Sequence, residues 1–415
     1  MKLWRYIKNS LAMFDRRMNL SRPLKVAHIT LGDLGILFLW PQLRALQSDG
    51  FEVHALCGDG PLVPTFESEG IKFHLIEVER KISPLADLKL LWRLISIMRQ
   101  ERYTIVHTHT AKLELIGQLA ARLARVPIVL YTNHGFYFRS RMSSLRRWFL
   151  INMARFAGLI SDHILSQSSE DINTVLEQKI YRPDRISYLG NGINIALFYA
   201  GRFSPEQIRL KKQEIGVQED HQVVGMIGRY VWEKGYREFF EAARFIASEK
   251  SKVSFLTVGT SLASERDPVD FSILRQLGIE DRVIVLKSRN DMPELYSVMD
   301  VVVLPSYREG FPRCLMEAAA MSRPVVATDI PGCRETVIDC YNGFLIPIKN
   351  NLALVEKIKC LLDDPALAAR LGQNGRTLAE ERFDESKVVE RLRTCYRTLL
   401  RQKLSAFALE TPSAE

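Results

Sequence analysis

The sequence predicts an α/β protein built as two doubly wound halves. Short apolar runs alternate with stretches of helical period from Lys25 onward. The alternation lapses after Gly190-Asn191-Gly192 and restarts at Gln222. A chain of 415 residues is also too long for one ordinary core and suits two domains of about 200 residues.

In the first half, Val26–Thr30, Glu52–Cys57, Lys72–Ile76, Ile105–His109, Ile128–Thr132 and His163–Ser166 read as strands, being short, rich in β-branched or apolar residues and bounded by polar turns. Leu37–Asp49, Leu85–Gln100, Leu113–Arg125 and Ser144–Leu159 repeat their apolar residues at helical spacing. This βα repetition predicts a parallel sheet. The second half gives strands at Gln222–Ile227, Val253–Val258, Arg282–Leu286, Val301–Leu304, Pro324–Ala327 and Phe344–Ile346. Helices at Gly235–Glu249, Asp291–Val298, Arg313–Met321 and Leu352–Leu362 intervene. The polar segment up to about Asp220 reads as a linker with a short helix. Ligands of open α/β sheets sit beyond the carboxyl ends of the strands, so two such sheets facing each other would bind a substrate in the cleft between them.

Composition narrows the class. An apolar content of 47% and a charged content of 25% are those of a soluble globular protein. Six cysteines, at 57, 314, 333, 340, 360 and 395, show no C-x-x-C pairing and no metal spacing, and read as buried thiols of a reducing, cytoplasmic protein. No apolar run approaches the ~20 residues that span a bilayer, and none resembles a cleaved signal peptide. The net charge of +9 lies in the first half, where residues 1–200 hold 26 Lys/Arg against 17 Asp/Glu and residues 201–415 hold 31 of each. Nucleic acid is not the expected partner, because no helix-turn-helix, zinc-finger or aromatic RNP-type signature is present. An anionic membrane surface fits better. Residues 1–22 place Leu3, Ile7, Leu11, Phe14 and Met18 on one stripe, with Lys2, Arg5, Lys8, Arg16 and Arg17 mostly off it. Arg139, Arg141, Arg146, Arg147 and Arg155 fall in an acid-free stretch interleaved with Trp148, Phe149 and Ile151. A solvated helix face accounts for the same pattern.

The residues richest in chemistry lie in Pro305–Thr336. A buried strand, a break at Gly310 and Pro312, and a helix from Arg313 make an anion site, since free N–H groups and the positive helix end face the ligand. Glu309 in the loop and Glu317 in the helix flank it, a layout suited to a nucleotide-sugar, with phosphate in the middle and hydroxyls at both ends. Arg229 and Lys234 follow the first strand of the second half and offer two cations to a diphosphate. His134 follows a strand end. His107 and His109 alternate at another and are not a metal pair, for want of a third ligand at suitable spacing. The loop Leu31-Gly32-Asp33-Leu34-Gly35 fails G-x-G-x-x-G, against a dinucleotide-dependent oxidoreductase.

The pattern G-R-x(4)-K-G, followed by E-G-F-x(5)-E, resembles the retaining glycosyltransferases of family 4. Thr132-Asn133-His134-Gly135, Gly190-Asn191-Gly192-Ile193, Arg289-Asn290-Asp291 and Pro331-Gly332 extend the resemblance from Lys25 to about Lys403. Pro41–Leu46, Ser83–Asp87 and His107–Thr110 are most similar to bacterial members that build capsule, exopolysaccharide or lipid-linked glycans. The resemblance implies the GT-B fold, two Rossmann-like domains facing across a cleft. The acceptor domain spans residues 23–200 and the donor domain 201–383. A helix at 384–404 packs back on the first domain, and a mobile tail covers 405–415. It also implies roles. Arg229 and Lys234 bind the donor diphosphate and stabilise its leaving charge. Glu309 accepts from the sugar hydroxyls, and Glu317 from the ribose. Backbone groups at Gly310, Phe311, Arg313 and Cys314 touch sugar or phosphate. His134 faces the donor from the first domain. Gly32 and Gly35 lie on the acceptor side, although their separation by Asp33 departs from the adjacent glycines of many members; His109 either joins them or hydrogen-bonds within the core. No D-x-D motif is present to hold a metal, and no cofactor is needed beyond the nucleotide-sugar, with UDP preferred over GDP. The implied reaction is front-face transfer to a glycan or polyprenyl-diphosphate-linked sugar at the cytoplasmic membrane face. A GT-B nucleotide-sugar 2-epimerase and a non-catalytic nucleotide-sugar-binding partner are the alternatives.

Overall fold

The computed structural model describes residues 23–79, 83–135, 143–261, 265 and 267–410. The basic stripe of residues 1–22, Arg139, Arg141 and residues 411–415 lie outside the described residues. The chain divides into two compact units. One comprises Met1–Gly190 with Val388–Glu415, and the other is Asn191–Lys387.

The first unit holds seven parallel strands: β1 (Lys25–Ile29), β2 (Glu52–Cys57), β3 (Lys72–Leu75), β4 (Ile105–Thr108), β5 (Ile128–Asn133), β6 (His163–Ser166) and β7 (Ile186–Tyr188). Their order is β3-β2-β1-β4-β5-β6-β7. The second unit has six parallel strands: β8 (Gln222–Ile227), β9 (Val253–Gly259), β10 (Val283–Lys287), β11 (Val301–Leu304), β12 (Val325–Thr328) and β13 (Gly343–Ile346). Their order is β10-β9-β8-β11-β12-β13. The central strands are apolar but for Gln222 and Thr328 at their ends, and buried along their middles, as sheets covered by helices on both faces require. In each sheet the order reverses once, between β1 and β4 and between β8 and β11. There adjacent loops diverge and leave room for a ligand.

The predicted strands and long helices are present within one or two residues at most ends. Strand β7, three residues long, escaped the sequence reading, as did the helices Ser169–Glu177 and Pro365–Leu378. The polar segment between the halves contains the helix Pro205–Glu214, whose capping box Ser204/Gln207 with Pro205 in the first turn fixes its start.

The units meet the sequence boundaries differently. The second unit begins after Gly190, not at 201, because Ile193 N–H donates to the Phe383 carbonyl at 2.8 Å and Ile193 O accepts from Glu385 N–H at 3.1 Å. The terminal helix runs Glu385–Glu410, so a tail beginning at 405 is corrected. From Val388 onward it belongs to the first unit. Val388, Leu392, Tyr396, Leu399 and Leu400 join a core with Leu24, Val26 and Ile105, and Arg393 clasps Asp49 through Nε and Nη2 at 2.7 and 2.9 Å. Of the cysteines, expected to be buried, Cys340 and Cys360 are exposed, on a turn and on a helix surface; all six are free thiols.

Glu114, in the helix Ala111–Leu123, is buried and accepts a hydrogen bond from Tyr181 Oη at 2.7 Å. Burial raises its carboxyl from 4.5 to about 8. The folded state therefore holds this proton more tightly than the unfolded chain. The contribution to stability is complete below the unfolded value and is lost as pH rises through about 8. Glu114→Gln keeps the acceptor for Tyr181 without the ionisation. Its melting temperature relative to the parent is expected to climb between pH 5 and pH 9; a pH-independent difference would contradict the assignment.

Candidate active site

In the second unit β8 and β11 are neighbours, with Val302 opposite Gly225, so the loops leaving their carboxyl ends run side by side. Lys234 closes a one-turn helix, Trp232–Lys234, after β8, and Glu309 stands in the loop after β11. Lys234 Nζ donates to Glu309 Oε1 at 2.6 Å, and the two side chains are only 18% and 9% exposed. Ser306 Oγ donates to the same oxygen at 2.7 Å, and Thr328 at the end of β12 donates to the Ser306 carbonyl. Both contacts engage Oε1. A carboxylate accepts about four hydrogen bonds, so Oε2 has capacity for a hydroxyl-bearing ligand.

Two glycines allow this approach. Gly235 has φ +86°, and a Cβ there would stand 2.2 Å from the Pro305 carbonyl oxygen. A Cβ on Gly332, after β12, would lie 2.5 Å from Glu309 O and 2.6 Å from Gly310 O. The loop carrying Glu309 is thus pressed against backbone on two sides.

The helix Arg313–Ala320 follows, with Pro312 as its N-cap. Its hydrogen bonds begin with Leu315 and Met316 N–H on the Pro312 carbonyl, so the N–H groups of Arg313 and Cys314 precede the intrahelical ladder. Phe311 is buried edge-on against Phe383, at 6.1 Å between ring centroids, and anchors the loop through its side chain. Glu317, one turn on, accepts from Tyr296 Oη at 2.9 Å and lies 3.6 Å from Arg313 Nε. Burial raises the Glu317 carboxyl, and the Arg313 charge partly offsets it. Tyr296 carried no sequence signal, because a buried tyrosine on a helix reads as core.

Arg229 differs from Lys234. Its side chain is 47% exposed and its Nη1 pairs with Glu265 Oε1 at 2.6 Å. Glu265 belongs to no motif, and sequence reasoning did not find it. It is the neighbouring Gly228 that packs on Lys234, where a Cβ would lie 3.7 Å from Lys234 Cγ, while the Arg229 guanidinium turns to Glu265.

In the first unit, Gly32 is extended (φ −164°), and a Cβ on it would meet nothing within 4 Å. Gly35 is a packing glycine, whose Cβ would lie 2.8 Å from Thr30 Cβ. The intervening Asp33 accepts from Leu34 N–H at 2.8 Å and from Leu62 N–H at 3.0 Å, fastening the next loop. His134 is exposed just after β5. His109 does not line an acceptor surface. It is 3% exposed, with Nε2 on His28 Nδ1 at 2.9 Å and Nδ1 on His134 Nε2 at 3.3 Å. The reading of His107 and His109 as no metal pair rested on spacing along the chain, yet a third imidazole does stand beside them. The sheet register sets His28 of β1 opposite His107, and ligand atoms of His28, His107 and His109 lie within 4.8 Å of one another. Spacing along the chain could not show this, because the third imidazole comes from another strand.

Two family descriptions match the chain. "Glycosyl transferase 4-like domain" covers residues 39–192, and "Glycosyl transferases group 1" covers 207–378. The capsular polysaccharide biosynthesis glycosyltransferase CapM of Staphylococcus aureus is 28% identical over 380 residues, 91% of this chain and 98% of that one. An Escherichia coli UDP-Gal:alpha-D-GlcNAc-diphosphoundecaprenol alpha-1,3-galactosyltransferase is 27% identical, covering 90% of this chain and 96% of its own. Among solved structures, Anabaena HepE in complex with UDP and glucose superposes with a TM-score of 0.77 at 23% identity, over 90% of this chain and 99% of that one. This last likeness carries the fold, which is GT-B. With the glycosyl transferase 4-like domain in its first unit and the group 1 domain in its second, the chain belongs to the group 1 glycosyltransferases.

Proposed function

We propose that this glycosyltransferase moves a sugar, with retention and without a metal, from a UDP-linked donor to a lipid-diphosphate-linked glycan. The observation that carries the reading is the Lys234–Glu309 pair set beside the start of the helix Arg313–Ala320. A lysine ammonium has three N–H donors, so Lys234 can keep Glu309 and still reach a phosphate oxygen. The helix start adds N–H groups and the positive end of the dipole. Arg229, exchanging Glu265 for the diphosphate, supplies a second cation. Together they stabilise the charge that grows on the departing phosphate. Glu309 Oε2 takes a donor-sugar hydroxyl, and Glu317 takes the ribose. The bond from the anomeric carbon to phosphate breaks, the acceptor oxygen bonds on the same face, and its proton passes to the leaving phosphate oxygen.

The lipid-linked acceptor is supported by two lines. The Escherichia coli relative is named for a diphosphoundecaprenol-linked substrate. The helix Ser144–Ile160 exposes Leu145, Trp148, Phe149, Phe156 and Leu159 alongside the exposed Arg146, Arg147 and Arg155. That chemistry suits an anionic membrane surface. No helix among the described residues is long and apolar enough to cross a membrane, and the proposed association is peripheral.

Glu309→Ala is expected to abolish sugar transfer to a lipid-diphosphate acceptor while the variant still melts cooperatively; near-parental turnover would remove Glu309 from the reaction. Arg229→Ala is expected to weaken UDP binding by about 1.5–3 kcal/mol, the worth of a hydrogen bond to a charged group. An unchanged UDP titration would show that Arg229 serves only Glu265.

A further inference from the structure

The exposed ring of His134 is backed by a continuous chain of buried hydrogen-bonding side chains that neither unit-wide packing nor the donor site explains. His134 Nε2 meets His109 Nδ1 at 3.3 Å, and His109 Nε2 meets His28 Nδ1 at 2.9 Å. His28 Nε2 lies 3.4 Å from Tyr396 Oη on the terminal helix. Tyr396 Oη in turn lies 2.9 Å from His107 Nδ1, and His107 Nε2 lies 2.7 Å from Thr132 Oγ1. His28, His107 and Thr132 are 0% exposed, Tyr396 1% and His109 3%. Every ring nitrogen of His28, His107 and His109 is therefore taken by another side chain, a satisfied network and not three imidazoles converging on a cation.

Burial keeps these imidazoles neutral, holding His28 down at about 3 and depressing His107 and His109. Each of the six groups then owns one mobile proton, and five links join them. A link with two protons sets donor against donor; a link with none sets lone pair against lone pair. Both leave buried polar groups unpaired. Only two arrangements fill each link once, with all six groups donating in one direction or all in the other. The four histidine tautomers are thereby coupled. Thr132 selects between the arrangements: its side chain is 0% exposed and its hydroxyl hydrogen-bonds only His107 Nε2 among the described residues, so turning that O–H away from the chain would leave it buried and unpaired. His134 then donates outward through Nδ1 and accepts from His109.

We propose that His109 and His28 are positioning residues that lock His134 as the Nδ1-protonated, neutral tautomer, through a chain completed by Tyr396 of the returning terminal helix. The exposed ring then presents an N–H outward, never a bare nitrogen, which fits a contact with an oxygen of donor or acceptor. The inference rests on the reading that His134 serves the transfer reaction.

The test uses the full chain with 15N-labelled histidine at pH 7. His28, His107, His109 and His134 are all expected to be neutral and protonated at Nδ1, whereas free histidine prefers Nε2. An Nε2-protonated or charged His134 in the parent protein overturns the proposal without any variant. His109→Leu removes both links, and His134 is then expected to shift toward the Nε2 form. Its kcat should fall about tenfold with little change in the nucleotide-sugar KM, the pattern of a lost transition-state interaction. His109→Gln, whose amide keeps a donor and an acceptor, should recover most of both. A His109→Leu protein with parental His134 signals and parental kcat overturns the proposal. His134→Ala with parental turnover would instead remove this histidine from the reaction, a failure of the site reading that kinetics reports and the tautomer pattern does not.

Discussion

The second unit of this enzyme is organised around one ion pair formed between two strand-end loops. Lys234 and Glu309 are 75 residues apart, yet parallel pairing of β8 with β11 makes their loops neighbours. Neither charge would be comfortable alone, since both side chains are mostly out of water and an unpaired buried charge is costly. In the proposed reaction they place a cation for phosphate and an acid for hydroxyls within one hydrogen bond of each other. The backbone contacts at Gly235 and Gly332 leave the pair little freedom to drift. Such rigidity is what a site needs when its catalytic power comes from charges fixed in advance.

The first unit solves a different problem. Its sheet brings histidines to the carboxyl ends of β1, β4 and β5, and burial keeps those of β1 and β4 uncharged, so they serve through hydrogen bonds. The chain leaves this unit at Gly190 and returns at Val388. The returning helix brings apolar packing, an Arg393–Asp49 clasp and the Tyr396 hydroxyl inside the histidine network. A terminal helix expected to pack back on the first domain thus also enters its interior hydrogen bonding.

Much of this was legible in the sequence, for physical reasons. Central parallel strands must be apolar, so Val301–Leu304 and Gln222–Ile227 announced themselves, and strand ends locate ligands in open sheets. That reasoning picked out Lys234, Glu309 and Glu317 before any coordinates. What stayed hidden depended on contacts between distant segments. Glu265 lies 36 residues from Arg229, Tyr296 lies 21 from Glu317, and His28 lies 81 from His109; none sits in a recognisable motif. Strand β7 was too short to show a period. The helix Pro365–Leu378 has its start marked by Asp364 and Pro365, directly after the helix Asn351–Asp363 and with no loop to set it apart. Gly35, expected on the acceptor side, also packs closely on Thr30, a contact that spacing along the chain does not show.

The central claim is that Lys234 meets the second phosphate of the donor while holding Glu309. The most direct test compares binding of UDP and UMP to the parent protein and to Lys234→Met. The parent is expected to prefer UDP by about 1.5–3 kcal/mol, the scale of a charged hydrogen bond, and the variant to lose most of that preference. An undiminished preference for UDP in Lys234→Met would contradict the account.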